Sequence, residues 1–575
     1  MCTNLNQLLG CGVLVLTSKS TVDKLRGGFY TPKIVSDFLI DWAGLDSNSV
    51  VLETSCGNGI FLSSICKKFS NINLPKDAFQ SHLIGIELVE EEANKARRLL
   101  SDLDIANPEK IVLNGDFFDY CQLFLKNNKK FSMITGNPPF IRYQDFPQKS
   151  KEIAFKLISE LFDFKLSGHA NSWIAFLLLS SQLLSENGKI AMVIPAQLFQ
   201  VKYATDTRRF LSVFFSKLTI ITFEKLIFPT AQQEVILLLG ERNNGPIEGI
   251  RVIELKNEND LYLRIRPEDV SKNFQYYKYK PMDHSTEKWT QYFLDTEEIE
   301  LLRKIPTLEG IKRGGDLYSV DIGVVTGKNK FFILSKNTLN NIGIDEKYTI
   351  KIFGRSSDIE GIIFSEDDWQ KIRQKDNPCY LFAPSQTQYA DLPDAIKNYI
   401  EKGVQHGVNE GFKCRIRRDD WFRVPTIYKP EAFLLRQIHD YPKMVLNTSG
   451  STCTDTIHRV NFNQGVDGKK IAGAFLNSLT FASAEVKGRS YGGGVLTLEP
   501  SEAEELLIPI VGIDHLNPVD IDTNIRKGNL AQIFDANDKI LLRDGLGMNF
   551  EQVRILRNIW VKLRNRRNNR KISPR

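Results

Sequence analysis

The segment Ile134-Thr135-Gly136-Asn137-Pro138-Pro139-Phe140 cannot continue as a helix or a central strand. Two prolines remove two N–H donors and fix φ near −65°, and the residue before each proline is driven extended. The apolar run Phe131 to Ile134 ahead of it reads as a buried strand. A rigid loop therefore follows a strand, with the Asn137 side chain and the carbonyls of Asn137 and Pro138 at the strand's C-terminal end. In open α/β sheets, ligands bind at that edge.

Outward from this loop the chain alternates strands and helices. Gly27-Gly28-Phe29-Tyr30-Thr31-Pro32 opens an amphipathic helix through Ile34, Val35, Phe38, Leu39 and Trp42, with Thr31 as N-cap and Pro32 in the first helical position. Val50 to Leu52 reads as a strand, and the turn Glu53-Thr54-Ser55-Cys56-Gly57-Asn58-Gly59 leads into a helix. A second strand ends on Glu87, and a third ends near Asp116-Phe117. After the Asn-Pro-Pro-Phe loop come a helix from Trp173 to Leu184, a strand Ile190 to Ile194, and a hairpin around Phe228 that returns through Glu234 to Leu239. This rhythm predicts a doubly wound, mostly parallel α/β sheet of Rossmann-like form. The polar stretch Glu241 to Pro246 reads as a linker, so residues 1–245 are expected to form one catalytic domain and 246–575 a second, larger α+β module.

The 575 residues exceed one ordinary domain, and 42% apolar with 25% charged residues describe a globular chain. Eight scattered cysteines, with no CxxC pair, read as reduced thiols and not as metal ligands. No apolar run approaches a membrane span, so a cytoplasmic protein is expected. The net charge is +6, and the run from Lys562 to Arg575 holds seven cations and no acid. Such a basic tail suits contact with a polyanion.

The glycine turn after the first strand lets a ligand approach the backbone at a helix start. It is not GxGxxG, and the preceding Glu53 repels a pyrophosphate but welcomes an amino group. Glu87 suits a pair of ribose hydroxyls, and Asp116-Phe117 suits an adenine amine and ring. Amino acid, ribose and adenine together describe S-adenosyl-L-methionine. The Asn137 side-chain oxygen and the Pro138 carbonyl can then each accept a hydrogen bond from an exocyclic amine, localising its lone pair for attack on the methyl group. Phe140 can stack on the base, which reaches such a pocket only after leaving the duplex.

In the order of these residues, the sequence resembles the γ-type (TaqI-like) N6-adenine DNA methyltransferases of bacterial restriction–modification systems. The resemblance implies cofactor contacts from Tyr30, Thr31, Glu53, Cys56, Gly57, Gly59, Glu87, Asp116 and Phe117 with Pro139 beside them, and catalysis by the loop Asn137, Pro138, Pro139 and Phe140. It also implies that Phe228, in Phe228-Pro229, clasps a flipped-out adenine of double-stranded DNA opposite Phe140. Gly323 to Phe332 and Gly488 to Gly494 resemble target-recognition segments of the same enzymes. Phosphate contacts are expected there and nearby from Lys328, Lys330, Arg415, Arg417, Arg418, Lys487 and Arg489. The sequence departs from the family at Thr54-Ser55, where Pro-Ala is usual, and at Phe140, where Tyr is also common. A cognate restriction endonuclease on a separate chain is a further implication. Methylation of an RNA base or of a protein glutamine, and an inactive DNA-binding module, are the alternatives at this point.

Overall fold

A computed structural model describes residues 30–166, 168, 170–225, 227, 234–270, 278–282, 288–384, 388–491 and 494–569. The chain divides into two compact units, Met1–Glu287 and Lys288–Arg575.

The first unit is built on an eight-stranded sheet in the order β3-β2-β1-β4-β5-β7-β6-β8. Its strands are β1 (Val51–Glu53), β2 (Leu83–Glu87), β3 (Val112–Asn114), β4 (Phe131–Gly136), β5 (Leu184–Pro195), β6 (Lys217–Phe223), β7 (Val235–Glu241) and β8 (Gly249–Leu255). Strands β1 to β5 pair in parallel, whereas β7 runs antiparallel to both β5 and β6. The doubly wound, Rossmann-like fold is thus present, with one reversed strand. Parallel strands covered on both faces must be apolar throughout, as β1 and β4 nearly are.

The helices that matter for the site are α1 (Lys33–Ala43), α2 (Ile60–Asn71), α3 (Glu90–Asp102), α4 (Phe117–Lys126), α5 (Gln148–Leu161), α6 (Ser172–Gln182) and α7 (Thr205–Phe214). Helix α1 buries Val35, Phe38, Leu39 and Trp42 and stops at Gly44 in the left-handed region. Its N-cap is Pro32 and not Thr31, a shift of one residue that leaves the Thr31 side chain to face elsewhere. Helix α6 is apolar around its whole circumference, with Ser172 to Ser181 all buried, so it is enclosed within the unit.

The sequence reading places the domain boundary at 245; the sheet continues past it. Strand β8 pairs in parallel with β6. The polar stretch 241–246 is a tight turn: Gly245 N–H donates to the Asn243 side chain at 2.9 Å, and the Arg242 guanidinium lies over the Phe214 ring. Turns and linkers share their composition, and only the unrecognised return strand distinguishes them here.

The second unit is α+β. Its largest sheet orders Tyr318–Ile322, Ile457–Phe462, Ala432–Leu435, Met444–Asn447 and Ile363–Phe364. The helix Phe550–Asn568 packs along Ser478–Lys487. Within that helix, Arg567 is 2% exposed and forks onto the buried Glu485. It also donates to the carbonyls of His439 and Gly494, at 2.7 and 2.6 Å. Lys562 pairs with Asp295 and Glu298, Arg564 with Asp440, and Arg566 lies over Phe293. These four cations of the basic run, read from the sequence as facing a polyanion, each hold an intramolecular partner; residues 570–575 lie outside the described residues. No helix among the described residues is long and apolar enough to cross a membrane.

Candidate active site

The C-terminal ends of β1, β2 and β4 and the turn after β3 enclose a cavity of about 470 Å³. Its wall includes Tyr30, Thr31, Glu53, Cys56, Gly57, Glu87, Asp116, Phe117, Asn137 and Pro139. Ten residues singled out in the sequence thus meet around one space.

Glu53 ends β1 at 1% exposure, and its Oε2 has no hydrogen-bond partner in the protein. Burial pushes its carboxyl well above the usual range, Glu87 adds to the rise, and the Leu62 backbone N–H opposes it. A buried carboxyl with an orphaned oxygen on a cavity wall fits a ligand that brings a cationic donor. Glu87 ends β2, where burial also raises its pKa against the pull of the Val89 and Gly57 amides. Those amides donate to its two oxygens at 2.8 Å each. This fixes the carboxylate plane and leaves each oxygen a lone pair for a hydroxyl. The Cys56 thiol is pushed up by burial, then by Glu53 and Glu87, so it stays protonated and is no nucleophile.

Asp116 caps α4 by accepting from the Phe118 N–H at 2.9 Å, and Ser150 donates to its other oxygen. Phe117 stacks on Phe176 with ring centroids 4.8 Å apart and an interplanar angle of 15°. Tyr30 donates to Glu92 of α3 at 2.9 Å.

The Asn-Pro-Pro-Phe loop is held from three sides. Gly136 has φ +150°, and a Cβ there would lie 2.9 Å from Thr54 Oγ1, so glycine lets β4 end against the β1 turn. Asn137 Nδ2 donates to Thr31 Oγ1 at 3.2 Å, and Ser55 donates to the Asn137 carbonyl at 3.2 Å. On the far side Ser172, 1% exposed, donates to the Pro139 carbonyl and accepts from the Ile141 N–H at 2.9 Å. The Ser172 N–H returns to the Ile141 carbonyl at 3.0 Å. Sequence reasoning missed this clamp. Its signal was the Asn171-Ser172 pair ahead of an apolar helix, a start signature whose second member here grips a loop.

Other expected residues stand apart from the cavity. Gly59 starts α2 with φ +90°, and a Cβ there would sit 3.1 Å from Ala96 of α3, so it serves helix packing. Pro138 is buried, and Phe140 is half-buried against the core; neither lines the cavity. Phe228 lies outside the described residues.

The seven cations named for phosphate contact divide into two groups. Lys328, Lys330, Arg415 and Arg418 are exposed and, among the described residues, pair with no acidic side chain. Arg417 instead forks onto the carbonyls of Val325 and Thr326, at 3.0 and 3.1 Å. Lys487 pairs with Glu505, and Arg489 with Glu502 at 2.8 Å. These three are engaged within the unit.

Comparison with known proteins finds matches along most of the chain. Residues 286–542 match the C-terminal domain of type II methyltransferase M.Eco57I. The type II methyltransferase M.AccI of Acinetobacter calcoaceticus is 22% identical over 533 residues, covering 89% of this chain and 92% of its own. M.BstVI of Geobacillus stearothermophilus is 22% identical across 54% of this chain and 60% of its own. In fold, the chain is similar to the type IIL restriction-modification enzyme MmeI, with a TM-score of 0.55 and 12% identity over 93% of this chain and 75% of that one. The model of the N-6 DNA methylase family matches residues 14–302, which carry the entire cavity and its asparagine loop; with that match over half its length, the chain belongs to the N-6 DNA methylase family.

Proposed function

We propose that this adenine-N6 DNA methyltransferase acts on a flipped-out adenine within a specific sequence of double-stranded DNA. The first unit would carry the chemistry and the second would read the site. The observation that carries the reading is the Asn137 loop beside a cavity whose buried acids, Glu53 and Glu87, fit a cationic amine and a pair of hydroxyls.

Bound in that cavity, S-adenosyl-L-methionine supplies an electrophilic methyl group. Glu53 takes its amino group, Glu87 its ribose hydroxyls, and Asp116 with Phe117 its adenine, while Tyr30, Thr31, Cys56, Gly57 and Pro139 complete the enclosure. Asn137 Oδ1 and the Pro138 carbonyl accept the two N–H bonds of the target amine. That grip draws its lone pair out of conjugation with the ring and aims it at the methyl carbon. The nitrogen would form the new N–C bond as the methyl–sulfur bond of the sulfonium breaks, the sulfur keeping the bonding pair and leaving as a neutral thioether, and one amino proton would then pass to water. Positioning and fixed dipoles carry the rate, and no covalent intermediate is needed. Phe140 and Phe228 hold the extruded base. The setting is the bacterial cytoplasm, where methylation would protect DNA from a cognate endonuclease carried on a separate chain.

The test is Asn137→Ala. It should retain cofactor binding by calorimetry and lose at least about 10²-fold in methyl transfer to adenine, the scale of one preorganised polar group. Transfer near the wild-type rate refutes the assigned grip.

A further inference from the structure

Two basic stretches far apart in sequence meet in the second unit. The short helix Phe412–Ile416 sits on the segment around Val325 and Thr326, held by the Arg417 fork and by the buried Cys414, whose thiol faces the Thr326 carbonyl. A Cβ on Gly327 would come within 2.9 Å of the Lys413 Cβ, so this contact is close and rigid.

With Cys414 turned inward, the opposite face of the helix is left to solvent. Phe412 is 65% and Ile416 62% exposed. Spaced i, i+4, they stand side by side. The two contacting segments carry exposed cations: Lys328 and Lys330 on one, Lys413, Arg415 and Arg418 on the other. None of the five pairs with an acidic side chain among the described residues. Of the nearby acids Glu410, Asp419 and Asp420, the last is already taken by Arg423 at 2.7 Å. Single exposed apolar residues need no explanation, but an adjacent pair, one ring of it beneath the Lys413 ammonium, on segments whose exposed cations pair with no acid does.

We infer that Phe412 and Ile416 form an apolar wedge that presses between stacked base pairs of duplex DNA, while Lys328, Lys330, Lys413, Arg415 and Arg418 sit on the flanking phosphates. The inference rests on the reading of the chain as a DNA methyltransferase. Charge complementarity selects a polyanion, and the apolar pair adds what phosphate binding alone leaves unused. Wedges of this kind unstack a base step and bend the duplex, and contacts made along the bent duplex offset the cost of unstacking.

The experiment uses the full chain and an end-labelled duplex of about 30 base pairs carrying the site that the chain methylates, mapped by modified-base sequencing. End-to-end energy transfer reports bending, titration reports affinity, and cofactor consumption reports methylation. Wild type should bend the duplex. Phe412→Ala/Ile416→Ala should abolish the bend and weaken binding about tenfold with an unchanged salt slope, since no cation is removed. Both positions are exposed, so the thermal midpoint should stay within a degree or two of wild type. A double variant that binds and bends as wild type overturns the wedge. So does one whose only change is in sedimentation of the free protein, which would make the patch a self-association surface. If the sequencing maps no modified adenine and the wild-type chain binds no duplex, the methyltransferase reading itself is refuted.

Discussion

Replacing Ser172 by alanine isolates the clamp behind the Asn-Pro-Pro-Phe loop. The substitution deletes one buried hydroxyl, which donates to the Pro139 carbonyl and accepts from the Ile141 N–H at 2.9 Å. Each hydrogen bond contributes about 0.5–1.5 kcal/mol net, so the two together are worth about 1–3 kcal/mol. The Ser172 backbone bond to Ile141 survives the change. The deficit can appear in two places. If the loop keeps its position, the folded state bears the whole cost, and the thermal midpoint falls by about 2–4 °C per kcal/mol. If the loop relaxes toward new partners, the Asn137 and Pro138 oxygens drift from the amine, and about 1–3 kcal/mol of barrier becomes a loss of roughly 5- to 150-fold in rate. We expect the second outcome, because Pro138 and Pro139 make the loop move as one piece. Single-turnover methylation separates the two: kcat should fall by that factor while the Kd for the cofactor changes less than about twofold. Wild-type single-turnover rates alongside a lowered thermal midpoint would show that the clamp stabilises the fold without positioning the loop.

Two further outcomes follow from the charges. Glu53 has its carboxyl raised by burial and by Glu87; it stabilises the ligand-free fold below the ordinary carboxylate pKa and loses that contribution as pH rises through the raised value. A cationic amine needs the ionised form, so calorimetry should show cofactor affinity strengthening with pH across that window with release of a proton. In Glu53→Gln, binding should be weak and its pH dependence reduced to the share due to Glu87; a wild-type profile in that variant would count against the contact. Replacing Lys328, Lys330, Arg415 and Arg418 together by alanine should reduce the slope of log K against log salt by about 3–4, at about 0.9 per phosphate contact. By contrast, Arg489→Ala should leave that slope unchanged and destabilise the second unit, because it strands part of the charge on the buried Glu502. Equal slopes in all three proteins would show that the exposed cations do not meet phosphate.

Much of the cavity could be read from the chain because strand-end residues announce themselves. Glu53, Glu87 and Asp116 each follow an apolar run, and parallel topology alone places such ends on one edge. Asn137 was legible for the same reason, helped by prolines that exclude alternatives. Ser172 was not, since a serine opening a helix is ordinarily a capping residue, and only its distance to Pro139 distinguishes a clamp. Strand β8 escaped because its entry turn carries the composition of a linker. The fate of the cations was illegible on principle: Arg415 and Arg417 are two residues apart, yet one faces solvent and the other is bound to carbonyls. Charge in sequence reports supply, whereas pairing depends on which carbonyls and acids the fold brings near.

Arg567 carries that lesson into time as well as space. Its guanidinium is tied to Glu485 and to the carbonyls of His439 and Gly494, three sites laid down 73 to 128 residues earlier. During synthesis those groups emerge first, and Glu485 meets its Arg567 partner only once the helix Phe550–Asn568 has been made. The part of the second unit around Glu485 is therefore complete only once Arg567 has been made. The first unit, whose sheet ends at Leu255, meets no such delay. A nascent chain would thus complete the sheet that carries the cavity before it completes the core of its second unit.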